Sequence, residues 1–314
     1  MSLLGGHGLA AWVLFNLLIL GLLALDLGVL HRKSHVVGFR ESLLWNVVWT
    51  AVGLAFGWLV VRVYGHQPGL EYFTGYVIER ALSFDNIFVF VVVFQYFRVA
   101  AEHQHRVLYW GILGALLMRG TLIVAGAALV AMFHWVLYLF GAFLLWSGVQ
   151  LLVKKDEAPH PERNPMIRLV QRLLPVDAAE RGPRFLVRRG GRWHATPLLI
   201  VLAVVETTDL VFALDSIPAI FAVTRDPFII YTSNVMAILG LRAMYFLLAA
   251  MMTQFRFLRH GLSLVLVLVG LRMLVDRWVD VPTGLTLSIV CGILAAAVAA
   301  SVLFRPRAGG VAGD

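Results

Sequence analysis

Residues 197–223 read PLLIVLAVVETTDLVFALDSIPAIFAV. The stretch is long and apolar enough to cross a bilayer as a helix, which takes about 20 residues. It nevertheless carries three acids, Glu206, Asp209 and Asp215. An acid near the bilayer centre costs roughly 2.5–3.5 kcal/mol on the scale from insertion experiments. We therefore expect these carboxylates to have cationic partners inside the protein.

The whole chain has the composition of a polytopic membrane protein. Hydrophobic residues make up 60% of its 314 residues and charged residues 14%, against about 45–50% and about 25% in soluble domains. The predicted fold class is all-α, a polytopic membrane helix bundle that forms a single domain over residues 1–314. Nine apolar runs predict transmembrane helices at about 9–30, 43–63, 71–97, 107–130, 134–153, 197–223, 228–253, 259–276 and 283–304.

The basic residues predict the orientation of the chain. Most of the 26 Lys and Arg residues fall in loops on one side of the predicted spans, whereas the loops on the other side hold Arg62, Arg225 and Arg277. Because cytoplasmic loops are enriched in Lys and Arg, we expect the N-terminus outside and the C-terminus in the cytoplasm. The net charge of +8 follows from this asymmetry, so the expected partner is the lipid bilayer and not nucleic acid.

The longest predicted cytoplasmic segment is a basic loop at 154–196. Residues 166–174 alternate apolar and cationic positions at helical spacing, which predicts a helix lying on the inner leaflet. Residues 185–193 predict a hairpin with a turn at Gly190-Gly191. A solvated loop attracted to anionic lipid accounts for both features.

Three short motifs occur twice, in the same order, which predicts a repeat over about 71–153 and again over about 197–276. They are Glu79…Asp85-Asn86-Ile87 with Asp209…Asp215-Ser216-Ile217, Arg119-Gly120 with Arg242-Ala243, and Gly148 with Gly270. Each unit contains three predicted spans, so the second unit is inverted relative to the first. Inverted repeats with a polar site at their interface are typical of secondary transporters.

Acids and one amide within the predicted spans are candidate cation ligands. They are Asp26, Glu79, Asp85, Asn86, Glu206, Asp209 and Asp215, with Ser83 and Ser216 as supporting oxygens. Glu79, Ser83 and Asn86 share one helix face, whereas Asp85 lies about 120° away. A straight helix would therefore not bring both acids into one pocket, so a local break or a second helix must complete the site.

Pro218 is expected to disrupt the helix that carries Glu206, Asp209 and Asp215. It has no amide hydrogen, and its ring clashes with the carbonyl of Leu214, so we expect a loosened helix around Asp215 with a released backbone oxygen. Such a stretch is tolerated in a membrane where it lines a cavity. Thr196-Pro197 predicts the start of this helix.

The candidate ligands are all oxygen atoms, which suits Mn²⁺, Ca²⁺ or Mg²⁺ better than Cu⁺ or Zn²⁺. Protons shared among neighbouring acids are an alternative. Another is structural pairing with Arg119 and Arg242, although two guanidiniums account for only about two of six carboxylates. Arg80 is expected to reach the membrane surface or to pair with Glu79. Because the sequence has no nucleophile–base pair, phosphate loop or HExxH motif, we do not expect an enzyme.

The two acidic stretches, 79–90 and 206–219, resemble the signature stretches of the TerC family of bacterial membrane proteins. Residues 109–115, residues 228–234 and the Arg-Arg-Gly-Gly-Arg-Trp193 loop are similar to the Alx-like branch of that family. The resemblance implies an inner-membrane protein, linked to tellurite resistance by name and to manganese export in several members, with the acidic motifs as the metal site.

Residues and resemblance together predict a secondary-type transporter that exports a divalent cation, Mn²⁺ first, with protons as a possible coupling ion. The alternative is a non-transporting membrane scaffold within a metal- or tellurite-stress complex.

Overall fold

The computed structural model of the protein describes residues 8–28, 38–153, 164–177, 182–249, 257–276, 278–279 and 281–303. These residues form eleven helices and one antiparallel hairpin. The helices are α1 (Leu9–Gly28), α2 (Phe39–Tyr64), α3 (His66–Tyr96), α4 (Ala101–Met132), α5 (Val136–Val153), α6 (Pro165–Leu173), α7 (Pro197–Phe221), α8 (Pro227–Leu239), α9 (Leu241–Ala249), α10 (Leu258–Val275) and α11 (Thr283–Leu303). Arg277 and parts of the predicted spans 9–30, 228–253 and 283–304 and of the 154–196 loop lie outside the described residues.

The described helices confirm an all-α polytopic membrane bundle. Seven of them are long and apolar enough to cross a bilayer, and the pair α8–α9, bent by 42°, gives an eighth candidate. The remaining predicted span, 71–97, corresponds to α3, which is 31 residues long. It contains Glu71, Glu79, Arg80 and Asp85 and is not among the apolar set. The count of nine spans therefore stays a prediction.

Helix α3 lies inside the bundle, where it contacts α2, α7, α8, α9 and α11. Its polar residues Glu79, Ser83 and Asn86 are buried, as is Tyr72. A helix surrounded by other helices can carry charged side chains, because these side chains contact neighbouring protein groups and not lipid. The charges of α3 therefore indicate an interior position.

The most extensive helix contact joins α5 to α10. The backbones approach closely at Gly141, Gly148 and Gly270, where an added Cβ would meet atoms of the opposite helix. The Ser263 hydroxyl also donates a hydrogen bond to the Gly148 carbonyl. Small residues at helix interfaces permit such packing in membranes, where the hydrophobic effect gives no drive for association.

Helices from the two predicted repeat units contact their counterparts. These contacts join α3 to α7, α4 to α8 and α5 to α10. The matched glycines Gly148 and Gly270 both lie at the α5–α10 interface. Contacts between corresponding helices are expected for an inverted repeat. The repeat itself stays a prediction.

The segment before α7 confirms the predicted hairpin. Strand β1 (Leu186–Arg189) pairs with β2 (Arg192–Ala195), and both turn glycines have positive φ, +56° at Gly190 and +79° at Gly191. This is the conformation that a tight two-residue hairpin turn requires. The predicted amphipathic helix is present as α6, which has no buried residue, and its position on the inner leaflet stays a prediction.

Gly270→Ala should destabilise the protein, because its Cβ would lie 2.8 Å from the Gly141 carbonyl oxygen and 2.9 Å from the Leu145 nitrogen. Overpacking of this kind typically costs about 1–3 kcal/mol, so the melting temperature in detergent should fall. Gly292→Ala is the matched control, since no atom lies within 4 Å of its added Cβ. Equal melting temperatures for the two variants would contradict the close-packing account.

Candidate functional site: a buried ion network beside a polar cavity

Arg119 of α4 is fully buried, and its guanidinium joins two acids from different helices. It forms an ion pair with Glu79 of α3. It also makes a two-pronged contact with Asp209 of α7, with Nε 3.1 Å from Oδ2 and Nη2 3.1 Å from Oδ1. Charge-assisted bonds with this fork geometry are among the strongest hydrogen bonds in proteins. Arg119, Glu79 and Asp209 form the Arg119 cluster, which therefore fixes α3, α4 and α7 against one another.

Neutral polar groups complete the Arg119 cluster. The Asn234 amide of α8 donates to Glu79 Oε2 at 2.9 Å, and the Asn86 amide lies 3.4 Å from Asp209 Oδ1. The guanidinium in turn donates to the Ser216 hydroxyl at 3.2 Å. Asn234 was not among the predicted site residues, although an amide inside an apolar span is itself a signal of a buried polar partner.

A second ion pair joins the first described helix to the bundle. Arg242 of α9 pairs with Asp26 of α1, and both side chains are buried. The predicted pairing of acids with Arg119 and Arg242 is thus observed. It accounts for three carboxylates, one more than expected, because Arg119 binds two.

Asp85 and Asp215 line a cavity of about 150 Å³ between α3, α5, α7 and α10. Its polar lining consists of Asp85, Asn86, Ser147, Gln150, Asp215, Ser216 and Arg259. The Ser147 hydroxyl donates to Asp215 Oδ1 at 2.7 Å. Both acids line this space and are partly exposed. The cavity therefore presents carboxylate, amide and hydroxyl oxygens together.

The seven predicted metal ligands are distributed over four places. Glu79 and Asp209 lie in the Arg119 cluster, Asp26 lies in the Arg242 pair, and Asp85 and Asp215 line the cavity, with Asn86 reaching both cluster and cavity. Glu206 is partly buried with its carboxylate against Gly114 of α4. Within the described residues, no group of three or more His, Cys, Asp or Glu side chains could hold a metal ion together.

The supporting residues also divide. Ser83 is buried and donates to the Glu79 carbonyl within α3, at 2.8 Å, whereas Ser216 contacts the Arg119 cluster and lines the cavity.

The expected helix break at Pro218 is wrong. Helix α7 runs without interruption from Pro197 to Phe221. Proline removes a single hydrogen bond, and neighbouring helices can support the backbone around it. Helix α3 is likewise continuous through Asp85, so other helices complete the cavity. The predicted start of α7 is confirmed, because the Thr196 hydroxyl accepts from the Leu199 amide and Pro197 occupies the first turn.

The expected pairing of Arg80 with Glu79 is also replaced by other contacts. Arg80 donates to the Ala237 carbonyl and to the Thr50 hydroxyl, each at 3.1 Å, and to Asn46. Adjacent residues of a helix point about 100° apart, so Arg80 reaches α2 and α8 while Glu79 faces Arg119.

The fold and the buried charges define the class of this protein: a multi-pass integral membrane protein with an internal ion network. The profile of the Integral membrane protein TerC family matches residues 64–308. The chain belongs to the TerC family, as the resemblance of its acidic motifs predicts.

Relatives of the chain align over almost their full length. A Myxococcus xanthus protein described as "Uncharacterized membrane protein STKORF319" is 49% identical over 95% of this chain and 93% of its own. The "Putative membrane-bound redox modulator Alx" of Photorhabdus laumondii is 44% identical over 90% of this chain and 92% of its own. The protein with the same description in Escherichia coli K12 is 41% identical, with 90% and 91% coverage. No solved structure matches the chain.

Arg119→Gln should destabilise the protein strongly, because Glu79 and Asp209 would lose their shared cation. Removing one partner of a buried ion pair costs about 3–5 kcal/mol. Size-exclusion chromatography of a fluorescent fusion in detergent would measure the loss of folded protein. Arg225→Gln, which removes an exposed cation, is the control. A folded yield for Arg119→Gln equal to that of the control would contradict the structural role of the cluster.

Proposed function

We propose that the protein is a secondary-type transporter that exports a divalent metal cation, with Mn²⁺ as the first candidate, across the bacterial inner membrane. One observation carries the proposal. Asp85 and Asp215, which occupy matching positions in the two predicted repeat units, line the same cavity. Polar sites at the interface of repeats are where secondary transporters bind their substrates.

The chemistry of the cavity supports a hard divalent cation. Two carboxylates match the charge of one divalent ion, and Asn86, Ser147 and Ser216 add neutral oxygen ligands. Oxygen ligands suit Mn²⁺, Mg²⁺ and Ca²⁺. A volume of about 150 Å³ exceeds the roughly 30 Å³ share of one water molecule in the liquid. The ion can therefore keep part of its hydration shell.

The Arg119 cluster contacts two residues that line this cavity. Asn86 and Ser216 each follow a cavity acid in the sequence, and each also contacts the cluster. Contacts that orient ligands from outside are a general requirement of metal sites. The proposal assigns a structural role to the acids that pair with arginines, which are Glu79, Asp209 and Asp26. Glu206 belongs neither to the cavity lining nor to the ion pairs described above.

Direction and energy source rest on other grounds. The outward direction follows the resemblance of the acidic motifs to members of the TerC family that export manganese. The sequence has no phosphate-binding loop of an ATPase, so the proposal assigns coupling to an ion gradient, with protons as the first candidate. An N-terminus outside and a C-terminus in the cytoplasm complete the proposed topology.

The description of the Alx relatives as redox modulators is compatible with this function. The chain has one cysteine, Cys291, so a disulfide within a single chain cannot form. A transporter can alter redox balance indirectly, by changing the cellular content of a redox-active metal. Manganese transport would thus connect the site with that description.

Proteoliposomes that contain a Mn²⁺-sensitive dye test the proposal. Purified wild-type protein should increase the Mn²⁺ flux above that of empty vesicles. Folded protein that moves no divalent cation under an imposed proton gradient or membrane potential would favour the alternative, a non-transporting scaffold within a metal- or tellurite-stress complex.

Asp85→Asn and Asp215→Asn should each lower Mn²⁺ transport by at least about tenfold, since each removes half of the negative charge that neutralises the ion. Both side chains line the cavity and are partly exposed, so the variants should stay folded. Asp276→Asn removes an exposed acid and is the matched control. Loss of folding along with transport would instead indicate that the cavity acids are structural.

A further inference from the structure

The cavity that the proposed function assigns to the metal already contains a cation. Arg259 is the first residue of the predicted span 259–276 and is not among the predicted site residues. It lies in the first turn of α10, and its side chain lines the cavity together with Asp85 and Asp215. A divalent ion that binds these acids would meet a guanidinium in the same small space.

We infer that Arg259 is an internal counter-ion of the cavity, which balances one of the two carboxylate charges in the absence of metal and withdraws when metal binds. The inference rests on the proposed function. In the metal-free protein, two carboxylates in a membrane interior need positive charge nearby. In the loaded protein, the same guanidinium would repel the ion. One cavity cannot favour both cations, so they should compete.

The position of Arg259 suits a side chain that moves while its helix does not. Four residues further along α10, the Ser263 hydroxyl is bonded to the Gly148 carbonyl of α5. Gly270 packs against α5 at Gly141. The backbone of α10 is therefore held close to α5. Arginine has a long, flexible stem that can move its head group toward the end of a helix.

Arg119 provides a contrast within the same protein. It is fully buried, and it is held by Glu79, Asp209 and Ser216. Arg259 is partly exposed and lies near the start of its helix. Arg119 is thus enclosed by the protein, whereas the Arg259 side chain is accessible at the end of its helix. The two arginines have different tasks, one structural and one competitive.

Mn²⁺ binding to purified protein in nanodiscs tests the inference, with free Mn²⁺ measured by electron paramagnetic resonance. Arg259→Gln and Arg259→Met should bind Mn²⁺ at least about tenfold more tightly than wild type, because the competing charge is gone. Arg259→Lys keeps a positive charge and should remain near wild type. Arg62→Gln is the control of equal charge change, since Arg62 stacks on Trp58 and does not line the cavity.

A second measurement uses the unaltered protein. Modification of arginine by phenylglyoxal, located by mass spectrometry, should increase at Arg259 when Mn²⁺ is added and stay constant at Arg62. This arm gives an answer even where a substitution at Arg259 impairs folding.

The outcomes separate the inference from the function on which it rests. The counter-ion role is overturned if Arg259→Gln and Arg259→Met bind Mn²⁺ no more tightly than the wild-type protein does. It is also overturned if the reactivity of Arg259 toward phenylglyoxal does not rise with Mn²⁺. Either result leaves the metal site in place. Folded wild-type and Arg259→Gln proteins that both fail to bind any divalent cation overturn the proposed function itself.

Discussion

The structure depends on one buried positive charge. Arg119 holds Glu79 and Asp209 within the membrane bundle, and without it two carboxylates would each cost several kcal/mol in that environment. Because the three residues come from α3, α4 and α7, satisfying the charge also fixes how these helices are rotated and spaced. Asn234 extends the same constraint to α8.

The rotation of α3 and α7 decides which acids are available for function. With Glu79 and Asp209 turned toward Arg119, Asp85 and Asp215 lie on other faces of the same helices and line one cavity. Asn86 and Ser216 connect the two sites. The acidic motifs therefore serve two purposes: one acid of each is a structural partner, and the other is a candidate ligand. Acids within transmembrane segments commonly mark the paths along which ions or substrates cross the membrane.

Sequence reasoning predicts the elements of this protein better than its contacts. The hydrophobic runs predict the helices, the two glycines predict the hairpin turn, and the acidic motifs predict the family. The partner of each acid depends on helix rotation and tilt, which periodicity alone does not determine. Pro218 illustrates a second limit, since packing keeps α7 helical where local propensity favours a break. Arg259 illustrates a third, because the apolar run that predicts the span 259–276 does not indicate that its first residue lines a cavity.

The central claim is that Asp85 and Asp215 together bind a divalent ion in front of the Arg119 cluster. Anomalous diffraction from crystals grown with Mn²⁺, recorded on both sides of the manganese absorption edge, tests this most directly. The account predicts one strong peak between the carboxylates of Asp85 and Asp215, with Arg119 still bound to Glu79 and Asp209. A peak within the Arg119 cluster, or none in the cavity at saturating Mn²⁺, would contradict it.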